Sequence, residues 1–402
     1  MSRMVITDDQ IIEALRKTGS TQGAWQSLRE IHGRLGKPSG TFNARCRRLK
    51  PAAGMAADPF DVLKAKRGIA PEHDMIRPSA PGFFVKGVST YYQKTEKTPA
   101  QWVKTQIDKE EALEAWMAAM PALLEPVRGK AEPIPGPQYT EDDFLTGYIL
   151  GDMHIGLMCW EPEVGANFDL KIAEQLYCQA IDRLVTVTPP STEALLVNVG
   201  DLQHSNDPTN KTPGHGNQLD VDGRDPKIRQ ATLRIMRYYI DKILTHHKRV
   251  HFINTPGNHD ISATMWIGLV LDALYEREDR IQVDIEPAYF RYHRFGKNLI
   301  GVTHGDTVKL EDLGEIMATD RGADWGETEH RIWLTGHVHH LRTLELRGCT
   351  VETFRTLAKA DAWHMKSGYR SGRDMRAIVW NRDHGEDARY TVGVSRLKVT
   401  ED

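Results

Sequence analysis

Apolar and polar positions follow two regimes along this chain. Over the first fifty residues the apolar positions recur every three to four places, the period of an amphipathic helix. Ile11, Ile12 and Leu15 predict a helix that Thr7 caps and Gly19 ends. Trp25, Leu28 and Ile31 predict a second, over about 20–31, followed by a turn at 32–36. A third is expected from near Pro38, carrying Phe42, Arg45, Arg47, Arg48 and Leu49. From about 143 the regime changes to short apolar runs alternating with helical patterns. Strands are expected at 144–150, 194–199, 250–254, 281–285, 289–294 and 298–303. Helices carry Leu170, Ala173, Tyr177, Ala180, Ile181 and Leu184, then Ile228, Ile235, Met236, Tyr239, Ile240 and Ile243 after Asp225-Pro226, then 263–275. Residues 331–397 read mostly as strands. Alternation of this kind predicts an α/β sheet.

Between the two regimes, residues 51–142 hold eleven of the chain's twenty prolines. Residues 51–81 and 121–137 read as linkers. β-rich pieces at 83–92 and 101–105 and a helix at about 109–124 lie between them. The pieces suit a hairpin arm packed on the main domain, or a single-strand contact through aromatic and basic side chains. The expected organisation is a helical unit at 1–50, a linker with a β-rich arm at 51–142 and a main domain at 143–402.

Composition changes this picture in three ways. At 40% hydrophobic and 27% charged residues the chain suits a globular fold with a sizeable core, and it has no apolar run of the roughly 18 residues that a membrane helix needs. The first residues lack a signal-peptide core, and the cysteines, Cys46, Cys159, Cys178 and Cys349, form no C-x-x-C pair, so a reduced, cytoplasmic setting is the simplest expectation. Finally, the net charge of −3 is unevenly spread: residues 1–50 carry ten Lys/Arg against four Asp/Glu, a net of +6. Helix, glycine turn and basic helix together resemble a helix-turn-helix, and a basic end on an acidic body suggests a DNA contact there.

The chemistry lies in five short motifs at or just past predicted strand ends, where open α/β sheets bind ligands. They are Gly151-Asp152-Met153-His154, Gly200-Asp201-Leu202-Gln203-His204, Gly257-Asn258-His259-Asp260, Thr303-His304-Gly305-Asp306 and Gly336-His337-Val338-His339-His340. Each pairs a hard oxygen or imidazole donor with a glycine that permits a tight turn. Asp, Asn and His without thiolates suit Mn²⁺, Fe or Zn²⁺. D-x-H alone is common by chance; all five motifs in order are not.

This order of motifs resembles the calcineurin-like metallophosphoesterase superfamily over residues 145–345. The resemblance implies an αββα sandwich and two divalent ions, Mn²⁺ expected first. It implies one ion on Asp152, His154, Asp201 and His339, and a second on Asp201, Asn258, His304 and His337, with Asp201 bridging. His259 would be the catalytic histidine, with Asp260 or another carboxylate orienting its ring. Residues 200–209 further resemble the G-D-L-F-H-x-x-x-P-S stretch of SbcD-type DNA repair exonucleases, with Gln203 in place of their aromatic. In that family the equivalent of His204 positions the DNA phosphate.

The expected function is therefore a metal-dependent DNA phosphodiesterase. The alternative is a phosphatase or phosphodiesterase for a small molecule such as a nucleotide; a DNA-binding protein with a dead site is disfavoured by the intact donor set. A homodimer is compatible with the family. Two further segments are candidates for shaping the pocket: the polar loop 211–225, and residues 354–376 with Arg355, Lys359, Lys366, Arg370, Arg373 and Arg376 among aromatic residues.

Overall fold

The computed structural model describes residues 6–32, Phe42, Arg45, Cys46, Leu49 and Ala53, the backbone of 88–92 and 101–105, and residues 124–399 apart from Tyr369 and the side chains of Trp363 and His364. The chain divides into two compact units, Met1–Pro121 and Ala122–Asp402.

In the first unit, helix α1 (Asp8–Thr18) begins at a Thr7 cap whose hydroxyl accepts from Gln10 N–H, while the Gln10 side chain returns to the Thr7 N–H. Gly19 ends it in the left-handed conformation. Helix α2 (Thr21–His32) packs Ala24 and Leu28, one turn apart, onto Ile11 and Leu15, with Phe42 and Cys46 completing the core. Ile31, expected on the same face, is 69% exposed: the buried stripe stops at Leu28. Phe42, Arg45, Cys46 and Leu49 are helical, and Arg45 is committed to Asp8 in the first turn of α1, with Nε 3.0 Å from the carboxylate. The turn at 32–36 beyond His32, Arg47, Arg48 and Lys50, and the helix expected at 109–124 short of Leu124, lie outside the described residues. Strands β1 (Val88–Tyr92) and β2 (Gln101–Thr105) pair antiparallel, Val88 opposite Thr105.

The second unit holds two sheets. The six-stranded sheet has the order β13-β12-β3-β4-β5-β6, from β3 (Glu141–Leu150), β4 (Ser191–Asn198), β5 (Arg249–Asn254), β6 (Ile281–Val283), β12 (Asp374–Asn381) and β13 (Gly385–Gly393). Strands β3 to β6 run parallel, and β12 is antiparallel to β3. The five-stranded sheet has the order β10-β11-β9-β8-β7, from β7 (Arg291–Phe295), β8 (Asn298–Val302), β9 (His330–Thr335), β10 (Arg342–Leu346) and β11 (Cys349–Thr353), with β8, β9 and β11 parallel.

Alternation along each strand sorts side chains to two faces. On β4, Ala194 and Leu196 meet helices α3 (Leu170–Val187), α4 (Asp225–Leu244) and α5 (Ile261–Leu274), whereas Leu195 and Val197 meet Ile300, Val302 and Leu334 of the other sheet. The far face of the five-stranded sheet, through Leu299, Trp333 and Val351, is covered by Leu313 and Met317 of α6 (Leu313–Asp320). The layers are helix, sheet, sheet, helix: an αββα sandwich, as the motif order implies. Buried on both faces, the parallel strands read as continuous apolar runs, which is why their positions were legible.

Candidate metal centre

The carboxyl ends of β3, β4 and β5 from one sheet and of β8 and β9 from the other open onto one edge of the sandwich. Asp152 and His154 follow β3, Asp201 follows β4, Asn258 and His259 follow β5, His304 follows β8, and His337 and His339 follow β9. To converge there the backbone bends out of extended geometry. Among the described residues six non-glycine positions have positive φ, and five of them are Asp152, Asp201, His154, His337 and His339. Such conformations cost on the order of 1–3 kcal/mol each and persist where the surroundings enforce them. The glycines make room: a Cβ on Gly257 would lie 2.1 Å from Asp201 Oδ1, and one on Gly336 2.5 Å from Asp152 Oδ2.

Two donor sets result. In the first, His154 Nε2 lies 3.0 Å from His339 Nε2, and His339 Nε2 lies 3.7 Å from Asp152 Oδ1. In the second, Asn258 Oδ1 lies 3.0 Å from His304 Nε2 and 2.9 Å from His337 Nδ1. Asp201 Oδ2 stands between them, 3.3 Å from His304 Nε2 and 4.0 Å from His154 Nε2. Asp152 Oδ1 also comes within 3.8 Å of His304, but at Nδ1, and that nitrogen donates to Val199 O at 3.0 Å. Asp201 is thus the carboxylate shared by both sets.

At His304 these contacts set acceptor against acceptor. With its proton at Nδ1, neutral His304 aims the Nε2 lone pair at two oxygens. Protons or cations can relieve this. Burial disfavours the His304 imidazolium, yet Asp201 and Asp152 outweigh it and raise the group to about 10. Asp152 is pushed up to about 7 by burial, opposed by His304 and reinforced by Asp201. Burial also opposes ionisation of Asp201, but the surrounding histidines hold it well below the usual carboxylate range. Burial and the neighbouring imidazoles His259 and His339 drive His154 well down, so it stays neutral with a lone pair to give. Converging lone pairs from oxygen and imidazole, mostly buried, fit divalent cations.

The remaining expected residues are placed as follows. The His259 N–H donates to Asp201 Oδ1 at 2.8 Å, and its ring Nδ1 donates to the His204 carbonyl at 3.0 Å. Asp260 does not orient that ring. Its two oxygens accept from Gln203 N and Gly257 N at 2.9 and 3.0 Å, tying the second motif to the third. A backbone carbonyl has taken the part expected of a carboxylate. His204 is buried, with Nδ1 3.2 Å from His154 Nδ1 and its ring stacked on His259.

Three supporting residues escaped the sequence reading. Asn198 accepts from Gly200 N–H and donates to Asn254 Oδ1 and Thr255 O, locking the turns after β4 and β5 together. The available signal was an asparagine ending two apolar strands at the same register. Thr356 Oγ1 donates to Asp152 O at 2.7 Å. Asn206 Oδ1 accepts from Ser262 and Ala263 N–H, capping α5.

The loop 211–225 returns from His204 to pair alongside the segment after His154, Val221 opposite Leu157, with a short Lys211–Gln218 bridge. The basic stretch 354–376 differs from expectation. Arg355 is bonded to Asp374, Arg373 to the carbonyls of Leu357 and Ala358, and Arg376 to Asp374 and Glu352. With Arg370 donating to Met365 O at 3.1 Å, four of the six cations are engaged within the fold. All four cysteines are free, and no described helix is long and apolar enough to cross a membrane.

No family model matches this sequence, and no curated protein does. Among solved structures, zinc-complexed Vps29 from Entamoeba histolytica is 14% identical, with 62% of this chain and 99% of that one covered at a TM-score of 0.28. A conserved uncharacterised protein, a predicted phosphoesterase of Streptococcus pneumoniae, is 13% identical over 62% and 98%, TM-score 0.26. Phosphopantetheinyl hydrolase from Mycobacterium tuberculosis is 12% identical over 57% and 94%, TM-score 0.24. Identities this low transfer no activity, and the functional reading rests on the site's own residues.

Proposed function

We propose that this chain is a metal-dependent phosphoester hydrolase with a dinuclear centre held by Asp152, His154, Asp201, Asn258, His304, His337 and His339. The observation that carries the proposal is the pair of donor sets sharing Asp201, built on strained backbone with lone pairs facing inward. Two divalent ions there would stabilise phosphate oxygens as Lewis acids and lower the pKa of a water nucleophile. The thiol-free donors favour Mn²⁺, with Fe or Zn²⁺ also compatible.

Asp201 neutralises charge between the two sets. His259 is half-buried beside it, and its Nδ1–H is engaged by the His204 carbonyl. Nε2 is therefore the atom through which the imidazolium would hand a proton to the leaving oxygen. General acid help of this kind is worth roughly 10²–10⁴-fold.

For the substrate we propose a DNA phosphodiester. The support is the likeness of the stretch 200–209 to the exonuclease motif as a whole and the excess of basic residues at 1–50. The internal commitment of Arg45, Arg355, Arg373 and Arg376 favours the second reading, a small phosphomonoester or phosphodiester. The deciding experiment incubates purified protein with Mn²⁺ and single-stranded DNA, duplex DNA or a bis-aryl phosphodiester. Cleavage of the aryl ester alone would reject the nuclease reading, and no turnover of any phosphoester would reject the hydrolase.

A further inference from the structure

Resting on the dinuclear reading above, we infer that His204 is a positioning residue for the metal ligand His154 rather than a contact to the substrate phosphate. Its Nδ1 accepts the Nδ1 proton of His154 and so turns the His154 Nε2 lone pair into the first donor set.

The pairing is built into the backbone. His154 N–H donates to Asp201 O at 2.9 Å, Ile155 N–H to Leu202 O at 3.0 Å, and His204 N–H to Ile155 O at 3.0 Å. This short parallel bridge holds residues 154 and 204 side by side, their Nδ1 atoms 3.2 Å apart. Two ring nitrogens at that separation share one proton unless a cation takes both lone pairs, as proposed for the Nε2 atoms of His154 and His339 3.0 Å apart. His154 Nε2 is the atom facing His339 Nε2 and Asp201 Oδ2. A neutral imidazole that ligates through Nε2 keeps its proton at Nδ1, so His204 is the acceptor. Ligating histidines commonly donate their second N–H to a carboxylate or carbonyl, which fixes tautomer and ring orientation; here a second histidine fills that place.

Burial argues the same way. His204 is only 2% exposed, a poor position from which to meet a polymer. The same residue serves His259 by other atoms, since its main-chain carbonyl accepts the His259 Nδ1–H at 3.0 Å. The side chain sets the ligand and the main chain sets the candidate acid, so a side-chain substitution separates the two.

The test titrates Mn²⁺ into chelator-stripped protein by calorimetry and follows bis-aryl phosphodiester hydrolysis at several Mn²⁺ concentrations. Wild type should bind two ions. His204→Ala should weaken one of them about 10–100-fold, the range seen when such an outer partner is lost, and its turnover should recover as Mn²⁺ is raised, at little change in KM. His204→Asn, whose amide oxygen can accept from His154 Nδ1, should restore the affinity; His204→Leu should not. The Asn–Leu contrast carries the test if the Ala variant fails to fold. Wild-type affinity for both ions in His204→Ala or His204→Leu, with a raised KM, would overturn the inference in favour of substrate contact. Absence of Mn²⁺ uptake by the wild type would instead bring down the dinuclear reading, and this inference with it.

Discussion

Two histidine clusters occupy opposite ends of the same parallel strands, and they are wired differently. Past the carboxyl ends, His154, His304, His337 and His339 face one another and two carboxylates, and neutral His304, its Nδ1 proton held by Val199 O, sets its Nε2 lone pair against oxygens of Asn258 and Asp201. At the amino ends, His247 precedes β5 and Ser191 opens β4. There His247 Nδ1 donates to Ser191 O at 2.9 Å and Nε2 accepts from Tyr148 Oη at 2.8 Å. Tyr148 Oη in turn lies 2.7 Å from Thr188 Oγ1, and Thr188 N–H closes onto Leu184 O. Every polar group in the second cluster meets a complement, and none of its residues has positive φ. A buried histidine cluster that satisfies itself contributes to the fold. The cluster past the carboxyl ends is strained, and the His304 lone pair facing oxygens calls for a proton or a cation, since buried polar groups are otherwise paired.

The sharpest way to break this comparison is Asp201→Ala. Losing the shared carboxylate should release both ions and cut turnover by about 10²–10³-fold or more, the scale on which a preorganised charge-stabilising group acts. Metal analysis with near-normal occupancy and turnover would remove Asp201 from the centre.

His259→Ala comes next. Turnover should drop about 10²-fold with both ions retained, and raising Mn²⁺ should not restore it. Recovery with added metal would make His259 a ligand.

At the other end, His247→Ala should leave metal content and turnover at 20 °C alone. It should cost about 2–4 kcal/mol in urea unfolding, since Tyr148 and Ser191 lose buried partners. A loss of bound metal in this variant would mean the two ends are coupled and the contrast is not one of separate parts.

The same cluster sets a pH dependence. Burial depresses His247 from 6.5 to about 3, against the Ser191 carbonyl, which raises it. In the unfolded chain the ring takes up its proton below pH 6.5, whereas the folded ring does so only near 3. The folded state therefore keeps this contribution above pH 6.5 and loses it as pH falls through that window, at up to about 1.4 kcal/mol per pH unit. His247→Gln should flatten the acid limb of the stability profile of metal-free protein relative to wild type. Parallel profiles would assign the acid sensitivity elsewhere.

The smallest effect is expected from removing Met1–Pro121. Each compact unit carries its own core, so aryl-ester turnover by a protein starting at Ala122 should stay within about a factor of two. If the first unit binds DNA, the salt dependence of duplex binding should become shallower by about 0.9 for each phosphate that the shortened protein no longer neutralises. Arg45 is already paired with Asp8, so the change should rest on the other basic residues.

Much of this protein follows from its sequence alone. The parallel strands show as apolar runs because both faces are buried, and the five donor motifs show because they come together in order past strand ends, where any one alone would be common by chance. Thr7 and Gly19 bound α1 through local hydrogen bonds and backbone freedom, which neighbouring residues suffice to specify. Helix α6 went unread because Leu313 and Met317 make only a short stripe, which acquires meaning against Trp333. What only the tertiary structure decided is which partner each polar group meets. Asp260 went to two backbone amides rather than to His259, His204 to His154, and Arg376 to Glu352 on a strand of the other sheet. Hydrogen bonds and ion pairs are short-ranged and directional. Residue type announces that a donor or acceptor is present, but its partner arrives from a strand tens to hundreds of residues away, at a register that only the packed sheets set.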